Sequence, residues 1–176
     1  MNWKKLNIAV LISVSGIFYA QEASPQGIKA NFSAKSIGAY QENSQNKLDE
    51  FYEYLTIYSR EKSPGLKEQI RSNIMSLTKN QITLPDFTEA QPNEIDLETF
   101  LFKVENQSYQ FNIESGRSSD EIGFNQWVNS YVLSVSQKGK TIEFELEQTI
   151  YFEPKEKEFG NKTKTVWEVK LGDIQQ

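Results

Sequence analysis

The apolar period changes partway along the chain, and that change constrains the fold more than any other feature. Between residues 47 and 80 the apolar side chains recur every three to four positions; from Glu98 onward they recur every second position. The first spacing lines one stripe of a helix and the second lines one face of a strand. Helices followed by strands, segregated along the chain, predict an α+β protein whose helices cover one face of a sheet.

In "NKLDEFYEYLTIYSR", Leu48, Phe51, Tyr52, Leu55 and Tyr58 share a helical face, and Asp49 and Glu50 lie in the first turns, where the helix dipole favours acids. This aromatic stripe reads as core, a ligand-lining stripe being the alternative. In "SPGLKEQIRSNIMSLTKN", Ser63 is placed to cap, Pro64 suits the first helical position, and Leu66, Ile70, Ile74 and Leu77 form the buried stripe. Asn80 is placed for a left-handed stop. The two helices form an N-terminal helical hairpin. The preceding residues 21–43 are polar and read as a lead-in or tether, with an edge strand in "GIKANFSA" as the alternative. Residues 81–97 read as loop after a short strand at Gln81–Leu84.

Phe100, Phe102 and Val104 alternate with polar residues, as do Tyr109, Phe111 and Ile113. A turn at Asn106–Gln107 pairs them apolar to apolar, which predicts a hairpin. Ser119, Asp120 and Glu121 are suited to open a one-turn helix. Three long strands follow, at Trp127–Ser136, Thr141–Phe152 and Lys164–Asp173, the last two joined by the charged loop "EPKEKEFGNKTK". The expected sheet is curved and mostly antiparallel, with five to six strands.

Two sets of residues in these strands are candidates for function. Glu143, Glu145 and Glu147 recur at every second position, opposite the apolar row Ile142, Phe144, Leu146, Ile150 and Phe152. Paired carboxylates at such separations serve glycosidases, but a row of three opposite the core reads as the solvated side of a sheet. Gln148 interrupts the apolar row, and Asn129 interrupts the row Trp127, Tyr131, Leu133 and Val135. The hairpin that keeps both apolar rows on one face pairs Gln137 with Lys140, and that register sets Asn129 opposite Gln148. Two amides inside an apolar row either orient a ligand in a mostly apolar pocket formed with Trp127 and Tyr131, or bond each other, a helix end or a trapped water.

Composition excludes several chemistries. The 176 residues contain no Cys and no His, so thiolate nucleophiles, disulfides, Ser–His catalysis and the commonest transition-metal ligand are ruled out. No cofactor motif is present. The net charge is −5, and the sequence has no basic run, which argues against nucleic acid. The first residues, "MNWKKLNIAVLISVSGIFYAQ", have a basic start, a short apolar run and Ala20. They read as a signal peptide over residues 1–20, cut near Ala20. No Cys follows for lipid attachment, and no later apolar run is long enough to span a bilayer. Residues 44–176 are expected to form one α+β domain.

The ending "FYAQ" resembles signal peptides of Bacteroidetes-type bacteria, which implies a periplasmic or secreted protein of a Gram-negative cell. The order helix, helix, short strand, hairpin, short helix and three long strands resembles the nuclear-transport-factor-2-like, or cystatin-like, cone. That resemblance implies a bent sheet around helices and a central cavity, often in non-catalytic binding or dimerising domains that use the open sheet face. Three functions follow as expectations. One is a non-catalytic binding domain with a small apolar or amphipathic ligand near Trp127, Asn129, Tyr131 and Gln148. A second is a protein-interaction module, such as an envelope-complex subunit, an inhibitor or an immunity protein, with a homodimer among its states. The third is a His-free enzyme with a buried carboxylate.

Overall fold

The computed structural model describes residues 27–118 and 121–176; the expected signal peptide lies outside them. Helices α1 (Ile28–Asn31), α2 (Ala34–Arg60) and α3 (Pro64–Leu77) come first, followed by the short strands β1 (Thr83–Pro85) and β2 (Glu94–Asp96) and helix α4 (Leu97–Val104). Strands β3 (Gln110–Ser118), β4 (Gln126–Gln137), β5 (Lys140–Phe159) and β6 (Lys162–Gln175) complete the chain. The protein is α+β, with antiparallel sheets throughout its named strands. The strands fall into a two-stranded sheet, β1–β2, and a four-stranded sheet in the order β3-β4-β5-β6.

Helix α2 runs for 27 residues, a span of about 40 Å. Its N-terminus is capped by Ser33, whose side chain accepts from the Ser36 amide at 3.1 Å. It buries Ile37, Ser44, Leu48, Phe51, Tyr52 and Leu55, a stripe of helical period. Residues 34–43, expected as a polar lead-in, are therefore the first turns of this helix. The period was hidden there because Ser44, a polar residue, holds a fully buried place on the stripe. The segment expected as an alternative edge strand is likewise helical, over α1 and the start of α2. Helix α3 starts at Pro64 and buries Ile70, Ile74 and Leu77. The left-handed backbone after it belongs to Gln81 (φ 58°), not to Asn80.

The stripe of α2 packs on one face of the four-stranded sheet. Tyr52 meets the rings of Tyr131 and Phe111 at 5.9 and 6.2 Å between centroids. Nearer the start of the helix, Tyr40 lies 4.4 Å from Phe152, which stacks on Trp167 at 4.7 Å. The inner row of β5 is Phe144, Leu146, Gln148, Ile150 and Phe152, all buried.

Two segments differ from the sequence reading. The expected hairpin over residues 98–113 does not form, because Leu97–Val104 is helix α4. Asp96 caps it, accepting from the Thr99 amide at 2.9 Å, and Leu97, Phe100, Leu101 and Val104 are buried while Phe102 is 80% exposed. Within eight residues, Phe100, Phe102 and Val104 fit a strand as well as Phe100, Leu101 and Val104 fit a helix; the cap and Leu97 decide. The charged segment 153–164 is not a loop either. Strands β5 and β6 pair continuously from Ile150–Leu171 to Phe159–Lys162, forming a ribbon that extends past the end of β4. With water on both sides this ribbon has no apolar row to reveal it. Of the expected one-turn helix near residue 119, Ser119 and Asp120 lie outside the described residues, and Glu121–Asn125 is not helical.

The two-stranded sheet sits beside β6. Thr78 forms a parallel bridge to Leu171, the Lys79 amide donates to the Leu171 carbonyl at 2.7 Å, and the Thr83 amide donates to Asp173 Oδ1 at 2.8 Å. The register of β5 with β6 shifts between Gln148 and Ile150. Gly172 occupies the bulge, and a Cβ there would stand 2.8 Å from the Thr149 carbonyl and closer still to the Tyr151 ring.

Candidate functional site

Strands β4 and β5 meet at a two-residue turn whose Lys138 and Gly139 both have positive φ, 50° and 78°. Such a turn matches the right-handed twist of the strands it joins, and it fixes the register. Gln137 faces Lys140, and Asn129 faces Gln148 with Trp127–Ile150 and Tyr131–Leu146 on either side. Trp127, Asn129, Tyr131 and Gln148 thus share the inner face, and their exposures are 1%, 0%, 4% and 0%.

The facing amides are held by separate partners. Asn129 Nδ2 donates to Ser44 Oγ at 3.1 Å, and Ser44 Oγ donates to the Gln41 carbonyl at 2.6 Å. Gln148 Nε2 donates to the Gly172 carbonyl at 3.0 Å, at the bulge. The polar side chain on the helix stripe and the glycine bulge in the edge strand therefore serve the two amides. Asn129 Oδ1, Gln148 Oε1 and Trp127 Nε1 are buried with no hydrogen-bond partner among the described residues. Tyr131 and Tyr52 share a hydrogen bond of 2.8 Å between their hydroxyls. Burial pushes both phenols above the usual tyrosine range; for Tyr52 the neighbouring Tyr131 adds to the rise, and for Tyr131 the bond from Tyr52 opposes it.

A His-free enzyme calls for a buried acid held protonated. Asp86 is 3% exposed and is the buried acid among the described residues. Burial pushes its carboxyl up, but hydrogen bonds from Lys103 and from the Thr88 hydroxyl and amide outweigh it, and the net shift is downward. Asp86 is thus an ionised structural anchor for the turn before β2. Asp49 is raised by desolvation, yet its side chain stands on the exposed side of α2. No group of three or more potential metal-ligating side chains is found among the described residues.

The outer face of the sheet is different in character. Glu143, Glu145 and Glu147 are all exposed and face Ser134, Val132 and Ser130 across β4. Small side chains beside the acids leave an open groove of about 910 Å³, lined also by Ser115, Gly116 and Gln175. The bulge between Ile113 and Ser115 in β3 shapes one wall. Alternation in the sequence identifies the glutamates, but the groove depends on small residues of β4 and on a bulge in β3, which no single-strand pattern reveals.

Further along the same row of β5 come Lys155, Lys157 and Phe159, and the register places Lys164 and Lys162 on that face beside the last two. One face of one long strand therefore begins acidic and ends basic. Phe159, at the ribbon tip, is 53% exposed, and Lys164 Nζ lies 5.8 Å from its ring.

No helix of the described residues is long and apolar enough to cross a membrane. No protein-family model and no curated protein sequence matches the chain.

Proposed function

We propose that this chain is a non-catalytic binding domain of a Gram-negative envelope, built as a nuclear-transport-factor-2-like cone, that engages protein through its outer sheet face. The observation that carries the reading is the contrast between the two faces of β4 and β5. The inner row is closed, with its four candidate residues at 4% exposure or less, while the outer face carries an open, acid-lined groove. The order of elements supports the cone, and so do the bridge from Thr78 to Leu171 and the bond from Thr83 to Asp173. These carry the β1–β2 ribbon onto the edge of β6, toward a sheet of five to six strands bent around α2. Export rests on the N-terminal sequence.

The occupant favoured by charge is a second copy. Glu143, Glu145 and Glu147 at one end of the face complement Lys162 and Lys164 at the other. A two-fold arrangement brings each acidic row onto the partner's ribbon, with Phe159 as the apolar anchor. Sedimentation velocity of residues 21–176 tests this. A dimer is expected at low salt, dissociating as salt rises toward about 1 M, where the Debye length falls to about 3 Å. Glu145→Lys with Glu147→Lys, and separately Lys162→Glu with Lys164→Glu, each give monomers, and mixing the two variants restores a dimer. A wild-type monomer at all salt concentrations overturns the self-association reading.

A second reading, a small buried ligand beside Trp127, Asn129, Tyr131 and Gln148, draws on the one donor and two acceptors left unpartnered there. Native mass spectrometry of protein purified gently from its own envelope tests it. A stoichiometric adduct that Gln148→Leu weakens supports a ligand, and a clean protein mass removes the idea.

A further inference from the structure

We propose that a groove along the edge of β6, facing helix α2, binds a small molecule through a phosphate group. This site is separate from the outer-face groove, although two of its residues, Lys155 and Lys157, stand on the ribbon face that the self-association reading also uses. The sequence has no basic run, but the fold gathers one. Lys47 from α2, Lys155 and Lys157 from β5 and Lys170 from β6 all line a groove of about 610 Å³. A single carboxylate, Glu168, lines it with them. Its size falls within the range of about 300–1,000 Å³ usual for small-molecule sites.

Each lysine is held by a fixed acceptor. Lys47 Nζ donates to the Val169 carbonyl at 3.0 Å, and Lys170 Nζ donates to the Ser76 carbonyl at the end of α3. Glu168 takes Lys157 at 2.6 Å and Lys155 at 3.3 Å. These bonds position four ammonium groups from three elements around one space, and an ammonium carries three donors. Lys47 is pushed below the usual lysine range, first by burial and then by Lys170, with Lys157 adding to the effect and Glu168 and Glu50 opposing it. Four cations held against one lining carboxylate are relieved by a bound anion.

The residue types indicate which anion. The groove has lysines and no arginine, so it offers compact point charges rather than the planar fork that grips carboxylate and phosphate alike. Lysine ammonium groups arriving from several directions suit the oxygens of a tetrahedral phosphate. Tyr40 and Trp167 line the same groove, and Asn43 adds a polar side chain from α2. A phosphate monoester with a flat or apolar body fits this combination better than inorganic phosphate alone.

Isothermal titration of residues 21–176 with phenyl phosphate is the test, with inorganic phosphate and sodium sulfate titrated at matched ionic strength. Phenyl phosphate is expected to bind one to one and more tightly than inorganic phosphate. Lys47→Met and Lys170→Met keep the alkyl stems and are each expected to weaken it about tenfold, a typical loss for one charge-assisted bond. Trp167→Leu narrows the preference for phenyl phosphate over phosphate. Unchanged urea midpoints show that the variants remain folded. Vesicles containing phosphatidic acid separate the sources of phosphate. Co-sedimentation that phenyl phosphate displaces identifies a lipid headgroup, and binding of phenyl phosphate without co-sedimentation identifies a soluble ligand. Absence of phenyl phosphate binding, or binding that both lysine variants leave unchanged, overturns the proposal.

Discussion

The hydroxyl pair of Tyr52 and Tyr131 gives the most direct check on whether the interior is structural. The two oxygens lie 2.8 Å apart, and the residues are 1% and 4% exposed. Tyr131→Phe keeps the ring and its 5.9 Å contact with Tyr52 but leaves the Tyr52 hydroxyl buried and unpaired. Stranding a buried hydroxyl costs about 1–3 kcal/mol, and Tyr52→Phe strands the other partner at a similar cost. The double variant strands nothing and is expected to lose no more than about 1 kcal/mol. The coupling energy is then at least about 1 kcal/mol. Urea unfolding followed by tryptophan fluorescence measures it, since Trp127 is buried close by in β4. On heating, each single variant falls by about 3–9 °C at the scale of a domain this size. If the double variant loses as much as the two singles combined, or each single stays within about 0.5 kcal/mol of wild type, the hydrogen bond is not contributing and the reasoning fails.

The same pair predicts an alkaline limit. Both phenols are raised in the folded state, so above the ordinary tyrosine pKa of about 10 the unfolded chain releases protons that the folded chain keeps. Stability present below that pH should fall as pH rises through it, and the Tyr52→Phe, Tyr131→Phe double variant should flatten the fall in a pH series of urea midpoints. Asp86 acts at the acid end. Its carboxyl is lowered in the folded state, so its contribution is present above the unfolded value of about 4 and lost as pH drops below it; Asp86→Asn should make the acid limb shallower. Gly172→Ala forces a methyl against the Thr149 carbonyl and the Tyr151 ring and should cost about 1–3 kcal/mol, whereas Gly38→Ala, which meets nothing within 4 Å on α2, should stabilise by up to about 1 kcal/mol.

The β4–β5 register was legible because two constraints coincide: one turn that admits a tight hairpin and two apolar rows of opposite parity. Together they place Asn129 opposite Gln148, as the structure does. What could not be read was where the amide donors go, since Ser44 and Gly172 lie far from both in sequence. Helix α4 was misread because eight residues support two periods equally. The ribbon was misread because strands with water on both sides alternate charges, not polarity. The four lysines of the edge groove come from three separate elements, so no linear pattern announces them.

The four-stranded sheet is a meander in which every strand hydrogen-bonds to its predecessor. Its pairings are local in sequence, and the left-handed turn at Lys138–Gly139 can start them. Hairpins of this kind form in about 1–10 μs. The contact from Lys47 on α2 to Val169 on β6 spans 122 residues, so it closes one of the larger loops among the described contacts and carries a correspondingly large entropic penalty. A chain synthesised from its N-terminus makes α2 long before the strands that cover it. The aromatic stripe of that helix is covered in stages, Tyr52 by Phe111 of β3 and Tyr131 of β4 and Tyr40 only by Phe152 of β5, so the helix is fully docked only when most of the chain has been made.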